Sequence, residues 1–181
     1  RTYFIIDVNG VATSNKTSIA AAFGDMFERK VNGLKSQSSP EILVKVVPQA
    51  ENLWDIEPCM TDNVAKVIDK LKSSMCAGPD QIPSRLLKEI KYVVMPHLTI
   101  LINRCIKESY FPACFKLGKV IPVHKSGSLK DQKNYRPITI TSVIGKVIEC
   151  VINEQLTNHI DHLLPSTMFG FRKNSGTANV Y

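Results

Sequence analysis

At 181 residues, with 44% hydrophobic and 22% charged side chains, the chain is long enough for one sizeable domain or two small ones and can bury a core. That composition excludes a disordered tail, a collagen-like repeat and a disulfide-built mini-protein. The net charge of +7 is lopsided: residues 1–90 hold 11 Lys/Arg against 11 Asp/Glu, and residues 91–181 hold 12 against 5. Between Ser109 and Ile148 a single acid, Asp131, stands against seven basic residues from Lys116 to Lys146. Such a stretch suits either a polyanion or a solvated lysine-rich loop, and composition leaves both open. Five cysteines, an odd number without a CxxC pair, read as scattered buried thiols in a reducing compartment. Apolar runs of four or five residues are too short to span a membrane. The chain starts at Arg1 with no apolar segment behind a basic start, as expected of a piece of a longer polypeptide.

Residues 3–11 are partly β-branched and close on Asn9-Gly10, a turn signal. Ser14 or Thr17 is placed to cap a helix whose apolar face is Ile19, Phe23, Met26, Phe27, Val31 and Leu34, with Gly33 placed to end it. Asn15-Lys16-Thr17 has the form of a glycosylation sequon, but helix capping accounts for it better. Residues 37–58 carry three prolines and the only Trp, and read as a linker with one extended piece at 42–47. The next helix starts at Thr61-Asp62 and puts Val64, Val67, Ile68, Leu71 and Met75 on one face.

Ala77-Gly78-Pro79-Asp80 is a break. Pro83 suits the first turn of a helix carrying Leu86, Leu87, Ile90 and Val94, and Pro96 restarts another with Leu98, Leu101, Ile102, Cys105 and Ile106. Phe111-Pro112 closes it. Residues 119–123 and 137–141 are two β-branched strands, separated by a Ser126-Gly127 turn and a polar loop at 128–134, so that the pair forms a hairpin. A long amphipathic helix from Ser142 turns Val143, Val147, Ile148, Val151, Ile152, Leu156 and Ile160 inward, and Leu164-Pro165 ends it. His159 and His162 lie three apart with Cys150 nine residues earlier, but no further ligand is spaced to complete a metal site, so they read as surface or capping histidines.

Within this framework five elements resemble, in order over residues 76–176, the reverse transcriptases of non-LTR (LINE-type) retrotransposons. Ala77-Gly78-Pro79-Asp80-Gln81-Ile82-Pro83 is similar to the family's "GPDxIP". Phe111-Pro112 with Phe115-Lys116 resembles "FPxxWK", with Phe in place of Trp, and Val120 to Gly127 resembles "IxPxxKxG". Asn134-Tyr135-Arg136-Pro137-Ile138-Thr139 matches "NYRPIS/T", and Phe169-Gly170-Phe171-Arg172 matches "FGFR". Five ordered elements are far more specific than any one of them. The resemblance implies an α+β, mostly helical fold: part of a right-hand polymerase, with fingers that carry a β-hairpin and the start of a palm. Residues 1–60 would be a connector region with one amphipathic helix, and residues 61–181 the N-terminal part of the reverse transcriptase domain.

The same resemblance places Lys125 and Arg136 on the fingers hairpin, close to the triphosphate of the incoming nucleotide. Fixed Lys and Arg donors suit the charge that gathers on a departing pyrophosphate, the alternative being two solvated cations flanking a hairpin. Gly78, Pro79 and Asp80 are candidates for close backbone approach to a template, against an ordinary helix-to-helix turn. Lys116 and Lys119 are further nucleic-acid candidates. Phe171 and Arg172 could stack on and hold a strand, or be a core Phe beside a surface Arg. The family's catalytic palm aspartates lie downstream of "FGFR", so no catalytic or metal-holding residue is assigned within this chain, and Mg²⁺ is expected only of the complete polymerase. Expected partners are an RNA template, an RNA/DNA hybrid and deoxynucleoside triphosphates, in an intracellular ribonucleoprotein of cytoplasm and nucleus, without a membrane. A non-catalytic nucleic-acid-binding protein derived from such a polymerase fits the same residues.

Overall fold

The computed structural model describes residues 5–8, 10–37 and 54–165. These divide into two compact units, one drawn from residues before Trp54 together with Gly118–Ile140, the other from Trp54–Leu117 and from Thr141 onward. Among the described residues the first carries the strands, as two small antiparallel hairpins, beside one long helix, and the second is helical, the mix of helix and strand expected of a mostly helical α+β chain.

The first unit opens with β1 (Ile6–Val8) and β2 (Val11–Thr13), paired Ile6↔Thr13, Asp7↔Ala12 and Val8↔Val11. Gly10 supplies the positive φ of +83° that their turn requires, and its N–H donates to Asp7 Oδ1 at 2.7 Å. Helix α1 (Lys16–Gln37) is capped by Asn15, whose Oδ1 accepts the Ser18 N–H at 3.0 Å. The asparagine of the sequon-like triplet is thus the N-cap, in place of Ser14 or Thr17. The helix also runs through Gly33, which costs only about 1 kcal/mol in a helix interior and stops nothing by itself. Ile19 and Phe23 are buried, with Met26 and Phe27 packed beside them, whereas Val31 and Leu34 are exposed. Among the described residues only the N-terminal half of the expected stripe has something to pack against.

That something includes the second hairpin, β3 (Gly118–His124) and β4 (Tyr135–Thr141). Tyr135, 5% exposed, packs edge-on against Phe23 at 5.0 Å and completes the cluster of Ile6, Ile19 and Phe23. The strand expected at 42–47 lies outside the described residues.

The second unit holds α2 (Thr61–Lys70), α3 (Ser84–Glu89), α4 (Lys91–Lys107) and α5 (Val143–Ile160). Helix α2 packs on α4 and α5. Its Val64, Val67 and Ile68 meet Leu98, Ile102 and Cys105 of α4 and Val147, Ile148 and Val151 of α5 in one core. The i, i+3, i+4 spacing of each set is what buries one face of each helix. Lys91 donates to both carboxylate oxygens of Asp69 at 2.8 Å, which ties α2 to α4 and raises the lysine's pKa.

The extended segment before α2 is held by two amide side chains. Asn103 of α4 accepts the Cys59 N–H at 2.8 Å and donates to the Cys59 carbonyl at 3.0 Å. Gln155 of α5 does the same to Glu57, at 2.9 and 2.8 Å. Each amide meets one residue's N–H and C=O together, the complementary pairing a side-chain amide offers. Trp54 stacks on His159 at 4.6 Å, and His162 stands edge-on to His159 at 6.2 Å.

Several expectations fail for local reasons. Met75 is exposed because Leu71 turns to extended backbone, φ −60° and ψ 138°, and α2 ends there. Pro96 starts nothing: it lies inside α4, where it forgoes one early bond, and the break falls at Ile90 instead. Leu87 alone of Leu86, Leu87 and Ile90 is fully buried, since α3 is only six residues long. Leu156 is exposed on α5. Of the five free thiols Cys59 and Cys105 are buried and Cys150 is half-buried, but Cys76 and Cys114 are exposed. Among the described residues no helix is long and apolar enough to cross a membrane.

Candidate nucleic-acid and nucleotide interface

The loop between β3 and β4 is built from its own hydrogen bonds. The Lys125 N–H donates to the Asn134 carbonyl at 2.7 Å and closes its mouth. Asn134 Nδ2 donates to the Ser128 carbonyl at 3.0 Å, and Asp131 Oδ1 accepts the Lys133 N–H at 2.9 Å. The Tyr135 hydroxyl donates to the Leu129 carbonyl at 2.7 Å. Burial pushes that phenol's pKa up. Gly127 takes φ +79°, and a Cβ on it would stand 2.7 Å from Asn134 Nδ2. Gln132 and Lys130 fasten the loop to β1, through bonds of 2.9 Å to the Asp7 carbonyl and from the Asp7 N–H.

Lys125 follows β3 directly, and Arg136 is the second residue of β4. Both are exposed, at the loop end of the hairpin. Tyr135 and His124 meet ring to ring at 5.3 Å, and the pleat turns Arg136 to the face opposite Tyr135. Pro137 restricts Arg136 to extended backbone. The result is two cations flanking a loop that its own hydrogen bonds hold. The side chains that hold the loop, Asn134 and Tyr135, stand in the same motif as Arg136 but have no role assigned from sequence. The signal was there in Gly127, seven residues before an amide that needs the space.

In the helical unit, Gly78 is buried, and a Cβ added to it would lie 2.5 Å from the Thr141 carbonyl oxygen and 2.9 Å from the Ser142 nitrogen. Its close approach is therefore to the chain's own backbone. Asp80 accepts the Ser142 hydroxyl at 2.5 Å through Oδ2 and the Ile82 N–H at 3.2 Å through Oδ1. Ser142 in turn accepts the Ile144 and Gly145 N–H groups, the N-cap of α5. Gln81, at φ 59°, and a Gln81 N–H to Gly78 carbonyl bond of 3.1 Å complete the turn, with Pro79 exposed at its tip.

Lys116 is exposed at the end of a short 3₁₀ turn, Ala113–Lys116, whose Phe115 packs where a Cβ on Gly145 would come within 3.0 Å. Lys119 is exposed on β3. Phe171 and Arg172 lie outside the described residues. No group of three or more His, Cys, Asp or Glu side chains is gathered as a metal site among the described residues.

No protein-family model matches the chain. Individual relatives do. "Probable RNA-directed DNA polymerase from transposon X-element" of Drosophila melanogaster is 31% identical over 177 residues, covering 93% of this chain and 19% of that protein. "RNA-directed DNA polymerase from mobile element jockey" is 29% identical in Drosophila melanogaster over 119 residues, 64% of this chain and 13% of the relative. The jockey polymerase of Drosophila funebris is 27% identical over 124 residues, 67% of this chain and 14% of the relative. The chain thus spans less than a fifth of the length of each of these relatives. Relatives of one kind along most of its length put the chain in the family of non-LTR retrotransposon RNA-directed DNA polymerases.

Proposed function

We propose that residues 61–181 form the N-terminal part of a reverse transcriptase domain, fingers and the first edge of the palm, with residues 1–60 as its connector. In this role the chain contacts the RNA template and the incoming deoxynucleoside triphosphate. In the complete polymerase Mg²⁺ would supply the charge stabilisation for chemistry at the phosphorus, and no residue here is assigned to hold it.

The observation that carries the proposal is the pair Lys125 and Arg136 at the mouth of a self-bonded loop. As pyrophosphate departs, negative charge grows on the β- and γ-phosphate oxygens. Cations set by the held backbone of the hairpin supply charge-assisted donors there, and Arg adds a planar fork that holds two oxygens at once. Gly78 and Asp80 hold their turn against Thr141 and Ser142, so template contact there falls to the exposed tip at Pro79. Lys116, Lys119, Phe171 and Arg172 add phosphate and stacking contacts.

The test is a chimaera in which this segment replaces its counterpart in the X-element polymerase. Lys125→Ala and Arg136→Ala should each lower kcat/KM for the nucleotide roughly ten- to a hundred-fold, from about 1.5–3 kcal/mol per charge-assisted bond, while template affinity changes little. Arg136→Lys should fall between, keeping the charge and losing the fork. Equal losses in template affinity and nucleotide use, or none in either, would contradict the assignment.

A further inference from the structure

The end of α2 and one exposed face of α5 enclose an open groove of about 780 Å³ in the helical unit. Its α5 wall is a single helix face, running from Lys146 through Cys150 and Asn153 to Thr157 and Asn158. Val67 and Leu71 of the α2 side, with Cys150, give it an apolar floor. Lys70 and Lys72 rim it from the α2 side and Lys146 from the α5 side. Glu154 is the one acid of the lining, and Lys70 holds it at 3.2 Å. Lys72 and Lys146 are exposed and have no ion pair among the described residues. The carbonyl end of α2 brings about half a negative charge, which leaves the groove positive.

We propose that this groove binds a single-stranded nucleic acid, with Lys72 and Lys146 on the phosphates and the Asn153 and Asn158 amides on base edges. The volume exceeds what one phosphate needs and falls in the range of clefts that take a nucleotide-sized ligand. The floor suits the flat face of a base, and Asn and Thr side chains offer both donors and acceptors to base edges and ribose. An acidic peptide would use the lysines and could pair its backbone with the amides, but it brings no regular series of flat rings to the floor, and oligoglutamate is the competitor that tests it. The groove rests on the nucleic-acid part of the proposed function and on none of its nucleotide contacts.

The test uses the 181-residue chain with labelled oligo-U and oligo-dT of about twelve nucleotides, a length within the reach of a single-strand groove. Lys72→Glu/Lys146→Glu should weaken binding and flatten the log–log salt slope by about 1.4, two contacts at about −0.7 each. Asn153→Ala/Asn158→Ala should weaken binding with the slope unchanged. Bound oligomer should slow maleimide modification of Cys150, and the Lys72→Glu/Lys146→Glu variant should lose that protection. A stronger effect with oligo-U than with oligo-dT would identify RNA as the strand, and the reverse DNA. Unchanged affinity and slope in the lysine variant, an unprotected Cys150, or displacement by oligoglutamate at equal charge would each overturn the groove. Binding that survives Lys72→Glu/Lys146→Glu but is lost with Lys119→Glu/Lys125→Glu overturns the groove alone. No binding of either oligomer by the unaltered chain overturns the nucleic-acid function as well.

Discussion

Asp80 accepts the Ser142 hydroxyl at 2.5 Å across 62 residues of sequence, and Ser142 is the N-cap of α5. One side chain therefore reads two elements at once: the Gly-Pro-Asp turn sets the cap, and the cap sets the turn. Beside it Gly78 leaves no room for a methyl group. The Gly-Pro-Asp motif is, at Gly78 and Asp80, a device of packing.

Gly78→Ala should accordingly destabilise the chain by about 1–3 kcal/mol, towards the top of that range because the clash is with backbone. Asp80→Ala should cost about 1.5 kcal/mol or more, and Ser142→Ala about 1 kcal/mol for the lost cap. A double-mutant cycle in urea should give a coupling of at least about 0.5 kcal/mol. Additive effects would show that the two side chains do not act together.

Tyr135→Phe should cost about 1 kcal/mol at neutral pH, since the Leu129 carbonyl loses its donor. Burial raises the folded-state pKa, so the tyrosine's contribution is whole below the ordinary value near 10 and is lost as pH rises beyond it. Thermal melts between neutral pH and about pH 11 should fall more steeply for the unaltered chain than for the Phe variant. Parallel curves would contradict that direction of shift.

The chain by itself should give no templated primer extension, with Mg²⁺ or Mn²⁺. Transfer in this class needs two metal ions about 3.5–4 Å apart between clustered carboxylates. No two of the 16 acids are adjacent in sequence, and Asp55 and Glu57, two apart, stand in the segment that Gln155 holds by its backbone. A product from purified protein that vanishes in Asp55→Ala/Glu57→Ala would move the active site to that segment.

Periodicity made α2 and α5 legible, because Val64, Val67 and Ile68, or Val143, Val147 and Val151, repeat at helical spacing over a face that is buried. β-branching did the same for β3 and β4. Where an element stops was harder to read. Gly33 and Pro96 are breakers whose cost the surrounding helix absorbs, and the end of α2 at Lys70 carries no breaker at all. Contacts distant in sequence were illegible for a different reason. Nothing local marks Asn103 as the partner of Cys59 or Gln155 as that of Glu57. The basic groove draws its lysines from two segments more than 70 residues apart and was illegible likewise, whereas Lys125 and Arg136 stand together in recognisable motifs.

The most direct measurement is the affinity of the unaltered chain for a single-stranded oligoribonucleotide across a salt series. About five phosphate contacts in all, drawn from the basic side chains, predict that log K falls with log[salt] at a slope of roughly −3.5. A flat response, or no binding at low salt, would contradict the assignment of this chain to the nucleic-acid surface of a polymerase.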